Sequence, residues 1–479
     1  MKGDRTALTA VGSAIGIPIA FFGLRWIFLQ FRRVILVPTC HHTLPIGPNE
    51  IAPRQRRIVV SDLHLGGGDR LDDFDDDVAF AEFVDSYVCR DEPTELILAG
   101  DTVEFLQVRL PDLDDDDWSE QAAERRIATV IAAHPLVFAA LSRFIAGPER
   151  QLTVLIGNHD FELHYLAAKA RLAAAVGLTL GDPRLRFGVS YHGGGIYLVH
   201  GNQFDGWNRF VYFNGISEPF EVVRGTQLVK EVINDLEEDD TLLIAPLIDN
   251  VKPTSAFFWY LVALPRLRNK ASRQFFLRGV MGFLQVVAWP TPHQMPITGR
   301  GPGGLLSTPI FHGFWIWVST LRRQRVARQR KLARQVSEVA GDLPPPDQVI
   351  THVQIEASRQ IRREMRSFNN AYAREMLRIA RQPEHRNDRV FVCGHTHQAL
   401  VVPLGADQTY INTGTWTEII YDVAAMIRQE QRFPFVEITY PEGETPQGCL
   451  LVWLGGDESP QPWQAGPTLE RRRRKIRLQ

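Results

Sequence analysis

Five short, mostly apolar runs along the chain are each followed within three positions by residues of the kinds that bind metal ions. The runs cover residues 57–60, 95–98, 152–156, 195–199 and 389–393. Between 56 and 205 they alternate with stretches of helical character, and a second β-rich region extends from about 389 to 455. This alternation predicts an α/β (α+β) fold built in layers.

The segment 206–385 between these regions has a different character. It is helical in pattern and contains three apolar runs rich in aromatic residues, at 255–262, 275–289 and 311–318. These runs are too short or too interrupted to predict membrane-spanning helices. Arginine and lysine border them, which is typical of interfacial helices that sink an apolar face into lipid. The alternative is the core of a helical subdomain.

Residues 7–24 form an uncharged run of 18 residues, which is borderline in length for a spanning helix and reaches residue 31 if Arg25 is tolerated. No small-residue cleavage site follows, so an uncleaved membrane anchor is favoured over a secretory signal. Basic residues after the run outnumber those before it, which places the remainder of the chain at the cytoplasmic face of the membrane, peripheral or anchored by this segment. A buried or surface-lying amphipathic helix is the alternative.

Charge is distributed unevenly along the 479 residues. The formal net charge of -2 conceals two basic runs, at 321–335 and 471–477. Such runs could be solvated faces, contacts with nucleic acid or contacts with anionic lipid. Because they accompany Trp-rich apolar segments, we expect an anionic membrane surface as a partner rather than nucleic acid. The oligomeric state stays open.

The first two motifs are short. Asp62 and His64 follow the first run, and on an extended chain their spacing of two would aim both side chains the same way. A carboxylate and an imidazole that converge at a strand end can bind a divalent first-row metal. Asp101 follows Gly100, which allows the tight turn that projects the carboxylate. Each pattern alone also occurs by chance.

The other three motifs supply an amide, a carboxylate and four imidazoles, from Asn158, His159, Asp160, His200, His395 and His397. Any one of these histidines could be structural. Five such motifs at the ends of five predicted strands nevertheless indicate a single shared metal centre.

In their order and composition the motifs resemble the calcineurin-like metallophosphoesterase superfamily. The resemblance covers about 57–205 and 389–420 and implies a two-sheet sandwich flanked by helices, with a large helical insertion. It implies two metal ions, one held by Asp62, His64 and His397, the other by Asn158, His200 and His395, with Asp101 bridging both. We expect manganese, with iron, zinc or cobalt as alternatives.

Phosphoester hydrolysis at such a centre would be assisted by His159. This imidazole can stabilise charge in the transition state or protonate the leaving oxygen, and we expect Asp160 to orient its ring.

Within the superfamily, the runs at 100–105, 157–161 and 412–416 resemble the bacterial UDP-2,3-diacylglucosamine hydrolase branch, which cleaves the pyrophosphate of a lipid nucleotide. That branch typically has arginine at the position of His159, and its insertion is much shorter than 206–385. The resemblance implies a phosphorylated, lipid-linked substrate. A phosphodiesterase or nuclease, or a protein phosphatase, on the same fold is the alternative; a scaffold without activity would be expected to have lost ligands.

These patterns divide the chain into four parts. We expect a hydrophobic anchor and linker at 1–55, a metallophosphoesterase domain formed by 56–205 plus 386–458, a Trp- and Arg-rich helical insertion at 206–385, and a basic tail at 459–479.

Overall fold

The computed structural model describes residues 36–237 except 89, residues 369 and 371–422, residues 427–428, and residues 432–464 except 444 and 457. The possible anchor at 7–31, the three aromatic runs and both basic runs lie outside these residues.

The strands of the described residues are, in chain order, β1 (Val37–His42), β2 (Arg56–Val60), β3 (Thr94–Ala99), β4 (Arg150–Leu155), β5 (Leu185–Gly188), β6 (Tyr191–Gly193), β7 (Ile196–Leu198), β8 (Gly215–Glu218), β9 (Val390–Cys393), β10 (Leu400–Pro403), β11 (Thr409–Asn412), β12 (Ile420–Asp422), β13 (Ile427–Arg428), β14 (Pro434–Glu442), β15 (Thr445–Val452) and β16 (Gln461–Pro462).

The helices are α1 (Asp77–Val88), α2 (Glu120–Ala133), α3 (Pro135–Ala146), α4 (Leu166–Ala175), α5 (Arg224–Leu228) and α6 (Asn234–Glu237), with a π-helical turn, Val229–Ile233, between the last two. Residues 371–380 are also helical. Short 3₁₀ turns occur at Pro48–Glu50, Phe161–His164, Asn202–Phe204 and Pro383–His385.

Most of these strands belong to two sheets. Within the described residues, the larger has the order β16-β15-β14-β2-β3-β4-β5, in which β2 to β5 are parallel. The smaller has the order β10-β11-β9-β7-β6, in which β7, β9 and β11 are parallel. Strands from both sides of the 238–368 gap therefore contribute to both sheets.

Successive side chains of the central strands point to opposite faces of the larger sheet, and this produces the layers. In β3, Ile97 and Ala99 face the smaller sheet and form the core between the sheets with residues such as Leu198 and Val392. Leu96 and Leu98 face the other way, into a core shared with the flanking helices. Because both faces of β3 are buried, its residues 96–99 form a continuous apolar run.

The outer face of the smaller sheet is covered by helical residues 371–380. Tyr372, Met376 and Ile379 pack against Phe391 and Tyr410 of that sheet. The order of layers is thus helix, sheet, sheet, helix, which is the sandwich predicted from the motifs.

Residues outside the expected bounds of the domain also contact the sandwich, although β1 and β8 form a separate two-stranded sheet. β1, from the expected linker, pairs antiparallel with β8, from the expected insertion. Ile46 and Ile51 lie in the core between the sheets.

Among the described residues, no single helix has the length and apolar composition needed to cross a membrane. The pair α2 and α3, which meet at an angle of 91°, meets that requirement only when both helices are counted together, by length and composition alone.

Trp416 anchors the helix-facing core of the larger sheet. Its ring lies 5.2 Å from that of Phe80, 5.1 Å from that of Phe83 and 4.9 Å from that of Phe433, and its indole N–H donates to the Pro434 carbonyl at 2.9 Å. The side chain is fully buried.

We expect Trp416→Ala to lower the free energy of unfolding by about 3–5 kcal/mol, because it leaves a large cavity and an unpaired carbonyl. Val401, which is 51% exposed, supplies the control, since Val401→Ala should change the free energy by less than about 0.5 kcal/mol. Urea denaturation followed by circular dichroism measures both. Equal losses in the two variants would contradict the assignment of Trp416 to the core.

Candidate metal centre

The five motifs follow β2, β3, β4, β7 and β9, whose carboxyl ends point to one edge of the sandwich. Two groups of side chains meet there. The ligand atoms of Asp62, His64 and His397 lie within 4.8 Å of one another, and so do those of Asp101, His200 and His395. The metal-ligand residues predicted from both sides of the 206–385 segment are therefore neighbours in space.

Left-handed backbone turns aim these side chains. Five non-glycine residues of the centre have φ between 50° and 66°: Asp62, His64, Asp101, His395 and His397. This left-handed backbone conformation costs free energy for residues with a Cβ. Such residues cluster at functional sites, where the surrounding structure holds them in place. Our expectation that Asp62 and His64 project together from an extended strand was wrong, because β2 ends at Val60 and each of the two residues lies in a left-handed turn.

Close approach of the chain explains two motif glycines. A Cβ at Gly157 would overlap the Asp101 carboxylate, and a Cβ at Gly394 would overlap Ser61 and the Asp62 carboxylate. Glycine at these two positions lets the backbone before Asn158 and His395 pass directly over the ligand carboxylates.

In the first ligand group, the geometry fixes which imidazole nitrogen faces the centre. His64 Nδ1 lies 2.8 Å from Glu104 Oε2, so Nδ1 carries the proton and Nε2 presents its lone pair. That Nε2 lies 3.1 Å from His397 Nε2, which is in turn 3.3 Å from Asp62 Oδ1. Two nitrogens and a carboxylate oxygen thus converge, which is a donor set suited to a divalent transition metal.

The second group repeats the arrangement. His200 Nδ1 donates to the Ala99 carbonyl at 3.0 Å, so Nε2 faces Asp101 Oδ2, 2.9 Å away, with its lone pair. Asn158 Oδ1 is buried and has no hydrogen-bond partner among the described residues. A cation site requires acceptor atoms that face one another. His200 Nε2 and Asp101 Oδ2 do so, and Asn158 adds an unpaired amide oxygen. The residues present therefore fit a metal ion.

Electrostatics at the centre favour charged carboxylates. Burial alone would raise the pKa of Asp62, but the hydrogen bond and charge of His397 lower it to about 2. For Asp101, His200 and His159 outweigh burial and hold the pKa well below its usual range. His200 shows the reciprocal effect, because burial opposes its charge but Asp101 raises its pKa to about 9. Without a cation, imidazole charge therefore balances the two carboxylates, and a metal ion that binds His200 Nε2 takes the place of the proton there.

Comparison with known families agrees with this geometry. Residues 56–251 match the family model of the calcineurin-like phosphoesterases. The match supports a calcineurin-like phosphoesterase domain in this part of the chain. A comparison with curated proteins gave no match. The matched range contains the first four motifs, and the structure adds His395 and His397 from beyond it to the same site.

This domain makes the protein a metal-dependent phosphoesterase, and its family uses a two-metal centre. The two candidate ligand groups contain the histidines and carboxylates that a two-metal centre requires. The family match also continues past residue 205, into the segment that we expected to be an insertion.

His159 lies at the side of the phosphoesterase centre. Its Nδ1 is 2.5 Å from Glu104 Oε2, the same oxygen that contacts His64, and the His159 and His64 rings meet edge to face at 4.7 Å. Its side chain is 14% exposed, whereas that of His64 is 4% exposed. His159 can therefore meet a substrate while its ring is held from behind.

Asp160 has a different role from the one we expected. Its carboxylate is buried and accepts the backbone N–H groups of Gly157, at 2.6 Å, and Thr102, at 2.8 Å. Burial and the nearby Asp101 charge raise its pKa to about 7. Asp160 therefore ties the loop after β4 to the loop after β3, and the carboxylate that holds the His159 ring is Glu104.

Two functional residues were missed from the sequence. Glu104 orients His64 and His159, and Asp205 Oδ2 lies 3.2 Å from His395 Nε2. Asp205 is itself held by the backbone N–H of Trp207 and the side chain of Asn208. Both acidic residues follow a ligand within a few positions, which is the one signal that could have identified them.

We expect Glu104→Gln to lower metal affinity or the turnover number about 10–100-fold, because loss of a carboxylate that orients a ligand histidine has effects of this size. Isothermal titration with Mn²⁺ and hydrolysis of an aryl phosphodiester measure the two quantities. Glu82→Gln, on α1, is the matched control and should behave like wild type. Unchanged affinity and turnover in Glu104→Gln would show that Glu104 does not position the ligands.

Proposed function

We propose that the protein is a two-metal hydrolase that cleaves a phosphoester or pyrophosphate bond in a membrane-associated lipid substrate, of the UDP-diacylglucosamine kind. The observation that carries the reaction class is the position of His159 beside His64, with Glu104 contacting both rings. An imidazole held in this way can give a proton to the oxygen that leaves when the phosphorus–oxygen bond breaks.

The residues that would hold the ions are Asp62, His64 and His397 in one group and Asn158, His200 and His395 in the other, with Asp101 between them. When bound, a pair of divalent ions supplies Lewis-acid polarisation of the phosphate and a water-derived nucleophile at neutral pH. We propose manganese, because carboxylate, amide and imidazole ligands suit it.

The protein's own groups would then act on the substrate side. His159 protonates the leaving oxygen or stabilises the charge that develops there. The Glu104 carboxylate, on Nδ1, would stabilise the doubly protonated His159 ring that gives its Nε2 proton to the leaving oxygen, and the ring is left neutral with its remaining proton on Nδ1. No side chain has to form a covalent bond to phosphorus.

A lipid-linked substrate is supported by the sequence around the domain. The aromatic runs of 206–385 and the basic runs at 321–335 and 471–477 have the composition of segments that meet an anionic membrane. We therefore also propose that the protein works at the cytoplasmic face of the membrane, peripheral or anchored by its N-terminal segment.

The test is hydrolysis by the full-length, Mn²⁺-loaded protein of UDP-diacylglucosamine in phosphatidylglycerol vesicles, beside a soluble aryl phosphodiester and single-stranded DNA. We expect the lipid nucleotide to be cleaved fastest, and Asp101→Ala to lose at least about 100-fold of every activity, since it removes a direct ligand. The protein should sediment with these vesicles and less with phosphatidylcholine vesicles or at high salt.

The other possible results would identify which part of the proposal is wrong. Cleavage of the aryl diester alone would refute the lipid class while leaving the metal centre intact, and rapid cleavage of DNA would favour a nuclease. Activity that survives in Asp101→Ala would refute catalysis at this centre. Asp85→Asn, on the exposed part of α1, is the control and should be as active as wild type.

A further inference from the structure

A second cluster of metal-binding side chains lies away from the ligands of the catalytic centre. It consists of His192, His385 and Asp388, whose ligand atoms lie within 4.8 Å of one another. Asp388 Oδ2 is 2.7 Å from His385 Nδ1 and 2.9 Å from His192 Nε2, and the two imidazole rings are 4.4 Å apart. Two nitrogens and one carboxylate oxygen thus converge, a donor set that zinc accepts.

This cluster lies towards the opposite end of the strands from the catalytic residues. Asp388 precedes β9, whereas His395 and His397 follow it, and His192 pairs across the β6–β7 hairpin with Tyr197. At the strand rise of about 3.3 Å per residue, the four residues of β9 span about 10 Å, and the two sets of ligand residues lie beyond its opposite ends. The cluster is therefore distinct from the two catalytic ligand groups.

The backbone around the cluster is already fixed. Gln408 donates its amide N–H groups to the carbonyls of Asp388, at 3.0 Å, and His385, at 3.4 Å. The N–H of Arg389 donates to Gly195 at the β6–β7 turn at 2.7 Å. The ligands therefore hold their positions without a metal, which reduces the ordering cost of binding one.

Burial and exposure also suit an ion site. The side chains of His385 and Asp388 are 7% and 5% exposed, whereas that of His192 is 33% exposed. An ion could enter past His192 and keep a water molecule as a fourth ligand. Tetrahedral zinc with bonds of about 2.0–2.1 Å places ligand atoms about 3.3 Å apart, so the observed contacts need to open by only about half an ångström.

We propose that His192, His385 and Asp388 form a third, structural site for a divalent transition metal, with zinc as the preferred ion. The ion links β6, at the edge of the smaller sheet, to the segment that leads into β9 after residues 238–368. Because the ligands come from segments almost 200 positions apart, the ion closes a long loop and stabilises the folded state by binding it selectively.

The test compares bound zinc in full-length wild type, His192→Gln, Asp388→Asn and the control His42→Gln, whose histidine is exposed. Each protein is saturated with zinc, desalted and measured by plasma mass spectrometry, and aryl phosphodiester hydrolysis is followed in parallel. We expect both site variants to bind about one zinc ion fewer than wild type, with hydrolysis retained, and the control to match wild type. Equal zinc in all four proteins would overturn the proposal.

A second measurement needs no variant. Zinc should protect His192 of the wild type from modification by diethylpyrocarbonate, read by peptide mass spectrometry, because the ion would occupy its Nε2. We expect several-fold lower labelling with zinc present. Equal labelling with and without zinc would show that the three side chains form only a hydrogen-bonded group.

Discussion

The Asp101 carboxylate connects the parts of the protein that carry its chemistry. Its Oδ1 accepts the backbone N–H of His159, from the loop after β4, and its Oδ2 faces His200, which follows β7 of the other sheet. The carbonyl of Gly100 accepts the N–H of Asp62 after β2. Motifs from both sheets are therefore positioned by contacts with one turn, and the packing between the sheets determines whether the ligands meet.

Without bound cations, this centre lowers the stability of the folded protein. Asp62 and Asp101 are both buried, and the charge of Asp101 opposes ionisation of Asp62. Five of the ligand residues also occupy left-handed backbone turns. The large cores on both faces of β2, β3 and β4 supply the stability that sustains this strain, and bound cations would take the place of the protons that otherwise balance the two carboxylates.

Much of this arrangement was predictable because the relevant patterns are local. A run such as 95–98 predicts a buried strand, and Gly100-Asp101 directly after it predicts a carboxylate at the strand end. Each ligand type could likewise be identified from a few consecutive residues, and the order of the motifs resembles that of a known superfamily.

Other features depend on contacts that the sequence does not reveal. Glu104 matters because one oxygen reaches both His64 and His159, which requires three loops to be in place. Asp160 was misassigned because proximity to His159 in sequence does not set the direction of its side chain, which points to backbone N–H groups. The cluster of His192 with His385 and Asp388 joins distant positions without any local motif.

The most direct test of the two-metal centre is low-temperature electron paramagnetic resonance of the protein titrated with Mn²⁺. Two manganese ions that share the Asp101 carboxylate should give an exchange-coupled spectrum, and Asp101→Ala should abolish the coupling. A wild-type spectrum of isolated Mn²⁺ at every loading would contradict the account, because the two ligand groups would then not form one centre.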